Sequence, residues 1–139
     1  MSASQEVDIR AALVQGYVDA NVGLATAHEN EPFVTPSGTP WAKVTVVAAD
    51  RYPVTLGDQG EDQHDGFMQV DLSYPTDSGT YDVLTKAGVL EVYFKAGRKL
   101  TYNGQAVTVL GASRSSGRYV DGWYRVSVTI NWYARTSRA

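Results

Sequence analysis

The run "WYRVSVTINWYA", residues 123–134, constrains the fold more than any other stretch. Tyr124, Val126, Val128, Ile130 and Trp132 fall on one side of a period-two alternation. Arg125, Ser127, Thr129, Asn131 and Tyr133 fall on the other. Such a pattern predicts a strand with one face packed and one face polar. Trp132 goes with the core side, whereas Tyr133 sits among polar neighbours and suits a contact surface. The run "FMQVDLSY", residues 67–74, alternates in the same way. Met68, Val70, Leu72 and Tyr74 oppose Phe67, Gln69, Asp71 and Ser73.

The other elements follow from period and punctuation. Ser2 and Ser4 are candidate N-caps, and Ser2 with Gln5 has the spacing of a capping box. A helix then runs to about Leu24, with Val7, Ala11, Val14 and Val18 on one stripe and Ile9, Leu13 and Tyr17 beside it. "HENEPFVTPSGTP" carries Pro32, Pro36 and Pro40 and predicts an irregular surface segment. "WAKVTVVAA" (41–49) predicts a strand, and residues 50–66, with Pro53, Gly57, Gly60 and Gly66, a loop. After Tyr74, Asp77 or Ser78 is placed to cap a helix over about Thr80–Phe94. Val83, Ala87, Leu90 and Phe94 form its apolar stripe. Asn103-Gly104 between two β-prone runs predicts a hairpin. The sum is an α+β domain spanning residues 1–139, a mostly antiparallel sheet of about five strands with two helices on one face.

Composition removes several chemistries. There are no cysteines, which excludes disulfides and thiolate sites. An apolar share of 43% with 19% charged residues is that of a folded chain. No run approaches the roughly 20 apolar residues of a membrane span, and the opening residues lack a leader pattern. The expectation is a soluble chain made and used in a cytoplasm. Net charge is −3, but residues 1–94 carry 14 acids against 4 bases and residues 95–139 one acid, Asp121, against 8 bases. If the fold keeps those segments apart, copies attract head to tail, with Lys95, Arg98 and Lys99 at the seam.

The acidic stretch "LGDQGEDQHDGF" holds Asp58, Glu61, Asp62, His64 and Asp65. No register meets the spacing of a calcium loop: starting from Asp58, position 6 is Gln63 and position 12 Gln69. With His28 and His64 the only histidines, a zinc site lacks partners. The expectation is a solvated loop with no metal, cofactor or catalytic role. A small metal-dependent hydrolase using Asp58, Asp62, His64 and Asp65 is the alternative from another class. Serines 113, 115 and 116 lie in no nucleophile elbow, and no phosphate-binding glycine pattern is present. "GASRSSGRYVDGWYR" mixes Arg114, Arg118 and Arg125 with aromatics. It reads as a flexible loop, with single-stranded nucleic acid as the alternative partner.

The order of these features resembles the tail terminator family of long-tailed bacteriophages. The resemblance rests on an N-terminal helix, "GTPWAKVTVV" at 38–47, and a polar loop reaching "GFMQVDLSYPTDSGT" at 66–80. It continues through a helix ending "VYFKAGRKL" at 92–100 and the closing "YRVSVTINWYAR". Other phage neck and head-completion proteins share such an outline. The resemblance implies a virion structural protein without enzymatic activity. Its subunits would form a hexameric ring between the tail tube protein and the head connector or neck protein. DNA would pass through the ring without sequence-specific binding, and no membrane is involved. In such a ring Lys95, Arg98, Lys99 and Tyr133 are candidate subunit contacts. Asp58, Glu61, Asp62, Asp65, Arg114 and Arg118 then belong to loops facing the lumen or a neighbouring ring.

Overall fold

The computed structural model describes residues 5–138; the caps expected at Ser2 and Ser4 lie outside them. In chain order the elements are α1 (Gln5–Ala20), β1 (Ala25–Ala27), β2 (Trp41–Pro53), β3 (Glu61–Pro75) and α2 (Tyr81–Tyr93). The second half holds β4 (Lys99–Tyr102), β5 (Gln105–Arg114), β6 (Arg118–Val120) and β7 (Trp123–Ser137). The sheet runs β1-β2-β3-β7-β5-β4, and β6 pairs with β7 beyond the end of β5. The α+β class holds, but the sheet has seven strands where about five were expected. It is also mixed, since β1 runs parallel to β2. The additional strands, β1 and β6, are three residues each, too short to display a period.

The alternation read from the sequence sets the core. Met68, Val70, Leu72 and Tyr74 pair across β3 and β7 with Ile130, Val128, Val126 and Tyr124. They pack with the helices in one hydrophobic cluster. On α2 the expected stripe of Val83, Ala87, Leu90 and Phe94 is fully buried. Thr80 is the N-cap of α2 instead of Asp77 or Ser78. Those two form the preceding turn, where Asp77 takes φ 66° and the Ser78 hydroxyl donates to the Pro75 carbonyl at 2.6 Å. On α1 the second of the two stripes is the buried one. Ile9, Ala12, Leu13 and Tyr17 are buried, while Val7 and Val18 are exposed at 65% and 53%. Gly16 explains the choice, because a Cβ there would lie 3.2 Å from Phe94 and Leu100. The helix therefore turns its smallest residue to its nearest neighbours.

Two expected loops are largely strand. Residues 50–66 form a hairpin in which β2 continues to Pro53 and β3 begins at Glu61. Only Asp58 among the acidic candidates stays in the turn. The stretch around Arg114 and Arg118 is one arm of another hairpin, closed on β7 by Asp121-Gly122 with φ 50° and 82°. Asn103-Gly104, at 49° and 78°, closes the expected hairpin the same way. Both dipeptides supply the two positive φ angles of a tight type I′ turn. The segment from His28 to Pro40 is irregular as expected, but it is fastened. Glu29 accepts hydrogen bonds from the Val46 amide at 2.7 Å and Arg10 at 2.6 Å, and Phe33 stacks on Trp41 at 5.5 Å.

Candidate assembly interface

The β2–β3 hairpin outruns the helices, and polar groups hold its tip. Arg138, at the end of β7, reaches across the turn. Its Nη1 donates to the Glu61 carbonyl at 2.8 Å and to Asp62 Oδ1 at 2.5 Å, and its Nε donates to the Gly57 carbonyl at 3.1 Å. Its Nη2 donates to the Thr55 carbonyl. Arg51 donates to the other Asp62 oxygen from Nη2 at 3.0 Å and Nε at 3.2 Å, and its Nη1 reaches Glu6 on α1 at 3.1 Å. Burial would raise the Asp62 pKa, but the hydrogen bonds and charges of both arginines outweigh it and hold the carboxyl below its usual value. Asp62 is therefore a buried ion linking three chain segments, where a solvated loop residue was expected.

His64 lies one step further along the same face and is buried. Its Nε2 and the Thr136 hydroxyl are 3.0 Å apart. Burial lowers its pKa and the Arg51 charge adds to that, so the ring is neutral near pH 7. A cavity of about 170 Å³ beside it is lined by Glu6, Arg10, His64 and Trp132 among others. Glu6, Arg10 and His64 are each bonded to another residue of the chain. Strand alternation separates the remaining candidates. Asp65 faces the opposite side of the sheet, where it accepts from Gln63 at 2.9 Å and from the Tyr52 hydroxyl. Glu61 shares that side and is exposed, as is Asp58 in the turn. The hydrolase set of Asp58, Asp62, His64 and Asp65 is thus not brought together. Among the described residues, no three His, Asp or Glu side chains are grouped to hold a metal.

The basic candidates lie at the far edge of the sheet, Lys95 and Arg98 in the turn between α2 and β4 and Lys99 as the first residue of β4. Lys95 and Lys99 are exposed, and neither has an ion-pair partner among the described residues. The Arg98 guanidinium stacks over the Tyr93 ring at 4.3 Å. Arg114 and Arg118, expected in a flexible loop, are engaged within the chain. Arg114 pairs with Glu91 of α2, and Arg118 donates to the Ser127 hydroxyl at 2.9 Å. Ser127 in turn donates to the buried Asp71 at 2.5 Å. Tyr133 is half-buried on the sheet face away from the helices, between Asp65 and Thr108. Sequence reasoning missed Arg138, four positions beyond the strand read from the alternation. It also passed over Leu56, whose only signal is a lone large apolar residue in a polar turn.

The model of the phage tail terminator protein family matches residues 8–132, which takes in both helices and nearly all of the sheet. The chain belongs to that family. It is therefore a phage tail structural protein. No curated protein matches the chain. Among solved structures, one chain is 23% identical, covers 96% of each chain and superposes with a TM-score of 0.69. A chain from "Virion of native gene transfer agent (GTA) particle" is 17% identical and covers 97% of this chain and all of that one, with a TM-score of 0.56. Both share the fold of this chain.

Proposed function

We propose that the terminator assembles into a closed ring, six subunits in the reading favoured here, which caps the head-proximal end of a tail tube. Its faces meet the tail tube protein on one side and a connector or neck protein on the other. DNA passes through its channel without base-specific contacts. The role requires no catalysis, metal or cofactor. One observation carries the reading: an acidic hairpin and an unpaired basic turn lie toward opposite edges of the sheet, β2 and β3 on one side and β4 at the far edge. Unlike patches make heterologous contacts, and heterologous contacts that close make rings. The virion neighbour of the same fold supports a place in the particle.

Light scattering with electron micrographs of the same sample tests this. A ring runs at several times the 15.1 kDa monomer, six times for a hexamer. Reversing Lys95, Arg98 and Lys99 to Glu is expected to favour monomers with unchanged circular dichroism. Raising salt beyond about 0.15 M, where the Debye length is roughly 8 Å, should weaken assembly. A wild type that stays monomeric at every concentration and salt defeats the ring.

A further inference from the structure

A groove of about 500 Å³ opens where the end of α1 meets α2. It is lined by Ala20, Gly88, Val89, Val92, Tyr93 and Arg98. Its walls are mostly apolar and unpacked, with Val92 74% exposed and Val89 37%. Arg98 forms its one charged wall, the guanidinium lying over the Tyr93 ring, and its buried Nε has no hydrogen-bond partner among the described residues. The groove therefore favours an occupant that brings an acceptor to Arg98, which has no ion-pair partner among the described residues. It is shaped for an apolar side chain followed closely by a carboxylate or carbonyl. Lys95, exposed in the turn that follows Tyr93, adds positive charge to this region and favours an acidic segment.

The turn of the β2–β3 hairpin has that chemistry. Leu56 is 91% exposed. Asp58 follows two positions later, also exposed. The turn is held by Arg138 and by backbone bonds from Val54 to Glu61 at 2.9 Å and from Gly60 to Gly57 at 3.2 Å. A tip ordered in advance loses little freedom on docking. It does not reach the groove of its own chain. Glu6 at the start of α1 bonds to Arg51 of the hairpin, while Ala20 at the other end lines the groove. At 1.5 Å per residue those positions are about 21 Å apart, and the tip lies further out still.

We propose that residues 54–60 of one copy dock in this groove on the next copy, with Leu56 on Val89 and Val92 and Asp58 toward Arg98. The proposal rests on the ring reading and names its seam. The absence of native cysteine allows a direct test. A Leu56→Cys/Val92→Cys double variant, treated with a mild oxidant, should give a ladder of covalent oligomers on a non-reducing gel that collapses on reduction. Disulfides demand Cβ atoms about 4 Å apart, so proximity in general does not suffice. The control Val34→Cys/Val92→Cys uses another exposed valine, at 90%, and should give no covalent ladder. In light scattering, Leu56→Asp should weaken self-association about tenfold or more. At dilutions where both are monomeric its melting temperature should match wild type, since Leu56 is 91% exposed in its own chain. Wild-type rings without a Leu56→Cys/Val92→Cys ladder, or an equal ladder from the Val34→Cys control, overturn the docking and leave the ring standing. A monomeric wild type with no ladder overturns both.

Discussion

Strands β3 and β7 pair along fifteen residues, and the two ends of that ribbon are held by different physics. Under the helices, Met68, Val70 and Leu72 face Ile130, Val128 and Val126, all fully buried. Beyond α1 the same inward rows continue as Asp62 against Thr136 and His64 against Ala134. There Arg51 and Arg138 take the place of helix side chains. Apolar burial is non-directional and indifferent to salt and pH. An ion cluster is directional and fixes geometry, and it depends on charge state. The core end supplies stability, and the hairpin end supplies a defined shape past the edge of the core. Gly66 marks the junction, because a Cβ there would run into the Val47 carbonyl and the Trp132 ring that closes the core.

Three substitutions sharpen this contrast. Ile130→Ala, in the apolar end, should cost roughly 2 to 5 kcal/mol in urea unfolding, with little dependence on pH or salt. A cost under about 1 kcal/mol would break the assignment of that row to the core. Arg138→Ala should lower the melting temperature less than Ile130→Ala does. Its main effect should be local: faster amide exchange at Val54 and Gly60, whose N–H groups bond within the turn. Uniformly faster exchange would mean that the clamp belongs to the global fold.

The smallest effect concerns His64. Its pKa is lowered from the ordinary 6.5, first by burial and then by Arg51, with Glu6, Asp62 and Asp65 opposing. The unfolded chain therefore takes up this proton at a higher pH than the folded one. Stability is full above about 6.5 and falls as the pH drops toward the lower folded value. Asp62 acts further down: its contribution is present above the ordinary 3.8 and is lost as pH falls through its depressed folded pKa. His64→Gln should flatten the profile just below pH 6.5 and leave the more acidic limb in place. An unchanged profile there would show that His64 does not couple folding to pH.

Much of this was legible in residue order. The strict alternation of 124–132 and 67–74, the stripe on α2 and Asn103-Gly104 all translate locally into structure, because period and turn chemistry are short-range properties. The acidic candidates were legible as residue types but not as a site. "EDQHD" is polar on both faces, so nothing in it announces a strand, and Asp62 was read as solvated while Arg51 and Arg138 bury it from 11 and 76 residues away. Asp121-Gly122 carried the same signal as Asn103-Gly104 and was masked by the polar run before it.

By itself the sequence determined the α+β class, the faces of the long strands, the second helix and the imbalance of charge between its halves. Each is a matter of neighbours a few positions apart, where side-chain period and backbone preference decide. Only the tertiary structure decided which stripe of α1 is buried, since that depends on Gly16 meeting Phe94 and Leu100. It alone placed the acidic turn and the free lysines toward opposite edges of the sheet, and left Arg98 Nε without an acceptor among the described residues. Those outcomes depend on contacts between distant segments, and no local pattern encodes what a residue will meet when the chain closes on itself.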